Sequence, residues 1–110
     1  MLLGPVYILR SDLPDSDILL SRFRLSIVTE LFAAEWISFT ELHRSMDISH
    51  GNLVTHLAKL IGEGYVEEEK RFVGRRPNTR YHLTDYGREH FLAYVSWINF
   101  IAAQPKKKPE

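Results

Sequence analysis

The stretch from Ser49 to Gly64, SHGNLVTHLAKLIGEG, restricts the fold more than any other part of the chain. Leu53, Leu57, Leu60 and Ile61 recur at the spacing that gathers side chains on one side of an α-helix. Val54 stands at the margin of that side, and Gly51, Asn52, Thr55 and Lys59 fall opposite. Ser49 is a residue type that caps helix N-termini, because its hydroxyl accepts an N–H left unpaired by the first turn. Gly64 supplies the left-handed residue with which many helices end. A helix with one apolar side is stable only against a core, so this segment belongs to a packed domain and leaves its polar side to water or a partner.

The flanking segments supply that core. Residues 15–34 place Leu25, Val28, Leu31 and Phe32 at helical spacing and predict a first helix, with Ser16 or Ser21 as its cap. Residues 35–38, EWIS, are β-prone, after which Ser38 or Thr40 is positioned to cap a brief second helix through Met46, apolar at Phe39, Leu42 and Met46. Asp47, Ile48 and Ser49 then turn the chain into the two-faced helix. Beyond Gly64, residues 65–73 and 80–84 predict two strands joined by a loop, VGRRPNTR, between Val73 and Arg80. Thr84 caps a final helix over residues 84–103, with Asp85 near its positive end. Residues 1–14 form an apolar N-terminal arm and residues 104–110, QPKKKPE, a disordered basic tail, leaving one domain over 15–103. This order, helix, short strand, helix, turn, helix, strand, basic loop, strand, helix, predicts a winged helix-turn-helix. Its class is mainly α with a small β-hairpin wing, α+β.

Composition narrows the function classes. A chain of 110 residues, 45% hydrophobic and 25% charged, suits one core. Lys+Arg and Asp+Glu number 14 each, so overall charge points to no partner and only local clustering is informative. The absence of cysteine excludes disulfides, a thiol nucleophile and a cysteine zinc site. The N-terminal apolar run is interrupted by Gly4 and Pro5 and lacks the features of a signal peptide. The stretch FLAYVSWINFIAA has 13 residues, short of the roughly 20 that a spanning helix needs. The expectation is a soluble, cytoplasmic protein without a membrane partner.

Charge clusters in one place. Lys70, Arg71, Arg75, Arg76 and Arg80 lie within eleven residues that contain no acid. A hairpin tip crowded with like charges is best explained by a polyanion beside it. In a helix-turn-helix the second helix of the pair enters the major groove of DNA. The residue types on its polar side fit that use. Asn52 suits an adenine edge, Thr55 a thymine methyl or a phosphate, and Lys59 the backbone, while Ser49 and His50 stand at the helix start and His56 at the boundary between faces. Double-stranded DNA is the expected partner. The competing use is a winged helix that serves as a protein–protein interaction module, which has no need of Arg75, Arg76 and Arg80 together.

The segment from Ser38 to Phe91, with GNL..HL..L...GYV followed by GRRP.T.Y.LT..G, resembles the winged-helix domains of the MarR and ArsR transcriptional regulators, most closely their small single-domain members. The resemblance covers Leu25 to about Tyr94. It implies a DNA-binding regulator whose third helix and wing touch DNA and whose outer helices pair in a homodimer, with Asn52, His56, Lys59, Arg75, Arg76 and Arg80 as contacts. One departure concerns Glu67, Glu68 and Glu69, an acidic run that would repel phosphate if it faced the duplex.

The last helix is apolar on nearly every side. Phe91, Val95, Ile98 and Ala102 make one stripe, Tyr94, Trp97 and Ile101 a second, and Phe100 lies further round. Together with Leu3, Tyr7 and Leu9 of the arm, Tyr94, Trp97, Ile98, Phe100 and Ile101 are the expected dimer interface. No catalytic constellation, phosphate-cradling loop or metal motif is present, and His50 and His56 fall on different faces of their helix. The reading is therefore a non-enzyme without metal or cofactor, and no sequence feature identifies an effector.

Overall fold

The computed structural model describes residues 17–105. A single 3-10 turn, Asp17–Leu20, precedes α1 (Arg22–Phe32); β1 (Ile37–Ser38) leads into α2 (Phe39–Ser45) and α3 (His50–Gly62); β2 (Val66–Val73), β3 (Arg76–Leu83) and α4 (Asp85–Ala102) complete the domain. The sheet is antiparallel in the order β1-β3-β2, so β3 is its middle strand. This is the winged helix expected from the sequence. The arm residues Leu3, Tyr7 and Leu9, the alternative cap Ser16 and the three tail lysines lie outside the described residues.

Each helix begins where a side-chain oxygen meets an orphan amide. Ser21 accepts from Arg24 N–H, Ser49 from Asn52 N–H and Thr84 from Gly87 N–H. Ser38, not Thr40, starts α2 through a reciprocal pair with Glu41, in which each side chain accepts from the other residue's amide. Because the cap is Ser21, the expected first helix is divided and residues 17–20 form a separate turn.

The core gathers Ile27, Val28 and Leu31 of α1, Leu42 of α2, Leu53, Leu57 and Leu60 of α3, Tyr65 and Val66 at the start of the wing, Tyr81 and Leu83 at its end, and Phe91 of α4. The leucine stripe of α3 thus faces inward as its spacing predicts, and burying each such side chain is worth about 1.5–3 kcal/mol. Val54, at the margin, is 46% exposed.

Thr84 fastens the end of α3 to the start of α4. Its hydroxyl donates to the Gly64 carbonyl at 2.6 Å while accepting from Gly87 N–H at 2.9 Å. Gly64 takes a φ of 80°, the left-handed conformation expected of it. At Gly87 a side chain would collide with the Tyr65 carbonyl and with Leu83, so the close approach of α4 to the wing's base requires glycine.

The wing differs from the expected strand–loop–strand. Pairing continues to Val73↔Arg76, so β3 starts at Arg76 rather than at Arg80, and the turn consists of Gly74 and Arg75 alone. Gly74 has a φ of 65° and Arg75 does not share the positive sign, as in a type II′ turn, whose twist matches that of the strands it joins. Pro77 cannot donate to a ladder. It is tolerated because Phe72↔Pro77 follows the pair that closes the turn and is a non-hydrogen-bonded position.

Candidate nucleic-acid interface

The exposed face of α3 is short and polar. Ser49, His50, Gly51, Asn52, Thr55 and Lys59 are all exposed. The Thr55 hydroxyl donates to the Gly51 carbonyl at 3.0 Å, so what it still offers is an acceptor oxygen and a methyl group. His50, in the first turn, is set by a ring contact with Phe39 at 4.7 Å between centroids. His56 is placed differently from the expected contact. Its ring lies 5.5 Å from that of Phe23, and Nδ1 is 3.3 Å from Arg24 Nη1. Burial, and secondarily the Arg24 charge, hold its pKa below the ordinary histidine value, so the neutral ring accepts from Arg24 and braces α3 against α1.

The wing carries the other charges. Arg75 and Arg76 are exposed at the turn, and their side chains have no hydrogen bond or ion pair among the described residues. Lys70, with 80% of its side chain exposed, lies 3.9 Å from Glu68. Arg71 Nε donates to Asn78 Oδ1 at 3.2 Å across the strands. Arg80, grouped with these by sequence, has a different setting. Its Nε donates to Glu69 at 2.8 Å, its guanidinium lies 4.1 Å from the centre of the Trp36 ring, and only 24% of the side chain is exposed. Arg80 is a fastening of the wing's base.

Between the two surfaces runs a groove lined by His50 and Val54 of α3 and by Glu68, Pro77, Thr79 and Tyr81 of the hairpin, so the polar helix and the wing border one concavity. Residues 23–101 match the family model of the winged helix DNA-binding domain. The chain belongs to the winged helix DNA-binding domain family. It is similar to the uncharacterized protein MJ0432 of Methanocaldococcus jannaschii, with 33% identity over 72 residues that cover 66% of this chain and 78% of that protein. Among solved structures it resembles a transcriptional regulator homologue from Pyrococcus horikoshii, with a TM-score of 0.75 and 27% identity over 84% of this chain and 91% of that one. It also resembles a MarR-family transcriptional regulator from Enterococcus faecalis, with a TM-score of 0.70 and 26% identity over 78% of this chain and 77% of that one. Family and fold are those of transcriptional regulators, not of enzymes.

The acidic run is resolved by the pleat of this winged helix domain. Successive residues of a strand point to opposite faces, so Glu67 and Glu69 stand on one face of β2 and Glu68 on the other. Glu67 meets His82 Nε2 at 2.7 Å and Glu69 meets Arg80, each directly across the register. The Arg80 hydrogen bond holds the Glu69 carboxylate below its ordinary pKa. Glu68 lies across the register from Tyr81, whose hydroxyl is pushed up to about 12 by burial and by the Glu68 charge. The acids are thus spent inside the hairpin's base, and the unpaired charges lie toward its tip. Sequence reasoning missed Trp36, which stacks on both Arg80 and His82, the latter at 4.3 Å between ring centroids. It also missed Pro77, Thr79 and Tyr81 as groove lining.

Among the described residues no three metal-ligating side chains converge, and no helix is long and apolar enough to cross a membrane.

Proposed function

We propose that the protein is a transcriptional regulator that binds duplex DNA as a homodimer, with α3 in the major groove and the wing on the flanking backbone or minor groove. The observation that carries this reading is the pair Arg75 and Arg76, exposed and with side chains that have no partner among the described residues, at the tip of a hairpin whose base borders one groove with α3. Ser49, His50, Asn52, Thr55 and Lys59 are the helix contacts, and Lys70, Arg71, Arg75 and Arg76 the wing contacts. His56 and Arg80 are left out because other side chains already occupy them. A protein-interaction module would leave the two free arginines unused.

The dimer rests on α4. Gly87 and Phe91 near its start are buried, but beyond them Ile98 and Ile101, three residues apart on one side, are 42% and 52% exposed. A second copy of the same helix covers such a face economically, and two α3 helices related by a two-fold axis then read an inverted repeat. This function places the protein in the cytoplasm with the chromosome. Fluorescence anisotropy with a random-sequence duplex across a salt series tests the reading, beside sedimentation of the free protein. Binding that weakens steeply with salt, by a dimer, supports it; a monomer indifferent to duplex at low salt refutes it.

A further inference from the structure

The basic tip of the wing also carries apolar surface that folding does not use. Phe72 is 72% exposed, and its direct cross-strand partner is the exposed Pro77. Residues paired across a sheet share a face, and Pro77 lines the groove that His50 and Val54 border from α3. The Phe72–Pro77 pair therefore stands on the side of the hairpin that looks toward α3. Lys70 shares that face, Arg75 stands in the turn, and Arg71 and Arg76 fall on the opposite face of the hairpin. A single exposed hydrophobic residue needs no explanation, but a phenylalanine laid beside a proline on a hairpin tip that also carries four cations suits one kind of occupant. That occupant presents C–H-rich walls between two rows of negative charge. The minor groove of DNA has this construction, with sugar rings between its phosphates, and apolar side chains that enter it unstack a base step and bend the duplex.

We propose that the Phe72–Pro77 pair is an apolar wedge that packs into the minor groove beside the site read by α3 and bends the DNA there. This rests on the DNA-binding reading above and deepens it. The two-residue turn makes the hairpin as slim as a hairpin can be, and the wedge residue lies second from the turn, close to its tip. Arg75 and Arg76 take the phosphates on either side. Since bending is easiest at flexible steps such as TA, the wedge selects sequence at positions that no side chain reads by hydrogen bonds.

The test uses the full chain and a duplex of about 40 base pairs with TA steps at intervals of one helical turn, labelled at both ends for energy transfer. The wild type is expected to shorten the end-to-end distance by a bend within the ~20–90° range of minor-groove wedges. F72A is expected to bind roughly tenfold or more weakly and to leave the duplex nearly straight, with its salt slope unchanged because no charge is lost. F72L, still a wedge, keeps most of the bend. Replacing adenine by 2,6-diaminopurine, which adds an amino group in the minor groove, weakens the wild type and leaves F72A unaffected. Equal bending by wild type and F72A overturns the wedge while the DNA-binding reading stands. Absence of any duplex binding by the wild type overturns both. Loss in F72A of binding to anionic lipid vesicles, with DNA binding intact, assigns the tip to a membrane surface and overturns the proposal. Phe72 buries little, so the melting curve of F72A is expected to match the wild type and to separate these results from misfolding.

Discussion

The Arg80 guanidinium lies 4.1 Å from the centre of the Trp36 ring, which ties the middle strand of the wing to the segment that enters the helix-turn-helix. The same side chain is held by Glu69 at 2.8 Å, so the angle between wing and helices is fixed at the hairpin's base. Trp36→Ala is expected to cost roughly 1–2 kcal/mol in urea unfolding, from the cation–π contact and the packing lost with the ring. Hydrogen exchange in β2 and β3 is expected to quicken in that variant. Arg80→Ala behaves likewise and leaves the salt dependence of DNA binding unchanged. A flattened salt slope in Arg80→Ala would place Arg80 on phosphate instead.

Arg75 and Arg76 are the converse. They hold nothing together among the described residues, so replacing both with alanine is expected to leave the urea midpoint within error. The log–log salt slope of duplex binding is expected to fall by about 0.9 per lost phosphate contact in each subunit, alike for all sequences. An unchanged slope from the folded variant excludes the wing tip from the backbone.

Gly87→Ala places a methyl group against the Tyr65 carbonyl and Leu83. Backbone and core have to move apart at the joint between α3 and α4, at a cost of about 1–3 kcal/mol, or a melting temperature lower by about 4–8 °C per kcal/mol. Gly51→Ala, where nothing lies within 4 Å of the added carbon, serves as the control and leaves stability unchanged or raises it slightly. Equal melting of Gly87→Ala and wild type would show that the joint is looser than described.

His56 links stability to pH. Burial and Arg24 lower its folded pKa below 6.5, so the unfolded chain binds a proton that the folded chain refuses. The contribution is therefore fully present above the unfolded value and is lost as pH falls through that value toward the folded one. His56→Gln, which keeps an acceptor for Arg24 but does not titrate, is expected to narrow the difference in unfolding free energy between about pH 7.5 and about pH 5. A difference as wide as that of the wild type would show that His56 does not carry the pH dependence.

Much of this arrangement is legible in the sequence because its signals are local. Ser38, Ser49 and Thr84 start helices through bonds that span three residues, and the spacing of Leu53, Leu57 and Leu60 alone states which side of α3 is buried. The wing was legible as a hairpin but not in register. The span from Val73 to Arg80 reads as a loop, and only the turn at Gly74 and Arg75 sets Glu69 opposite Arg80 and Glu67 opposite His82. Until that pairing is known, five cations in eleven residues look equivalent, whereas Arg80 is occupied and Arg75 and Arg76 are free. His56 shows the same limit. Its place on the boundary of α3 is periodic information, but its turn toward Phe23 and Arg24 depends on how α1 crosses α3, a packing that no stretch of either helix encodes alone.

The central claim is that α3 and the wing read duplex DNA as a two-fold pair. Repeated selection of bound sequences from a random duplex pool by the full chain, at a fixed salt concentration, tests it most directly. The account predicts enrichment of an inverted repeat with half-sites about one helical turn apart, or a multiple of it, flanked by flexible steps. A pool that remains random after selection, or a single half-site bound by one chain, would contradict it.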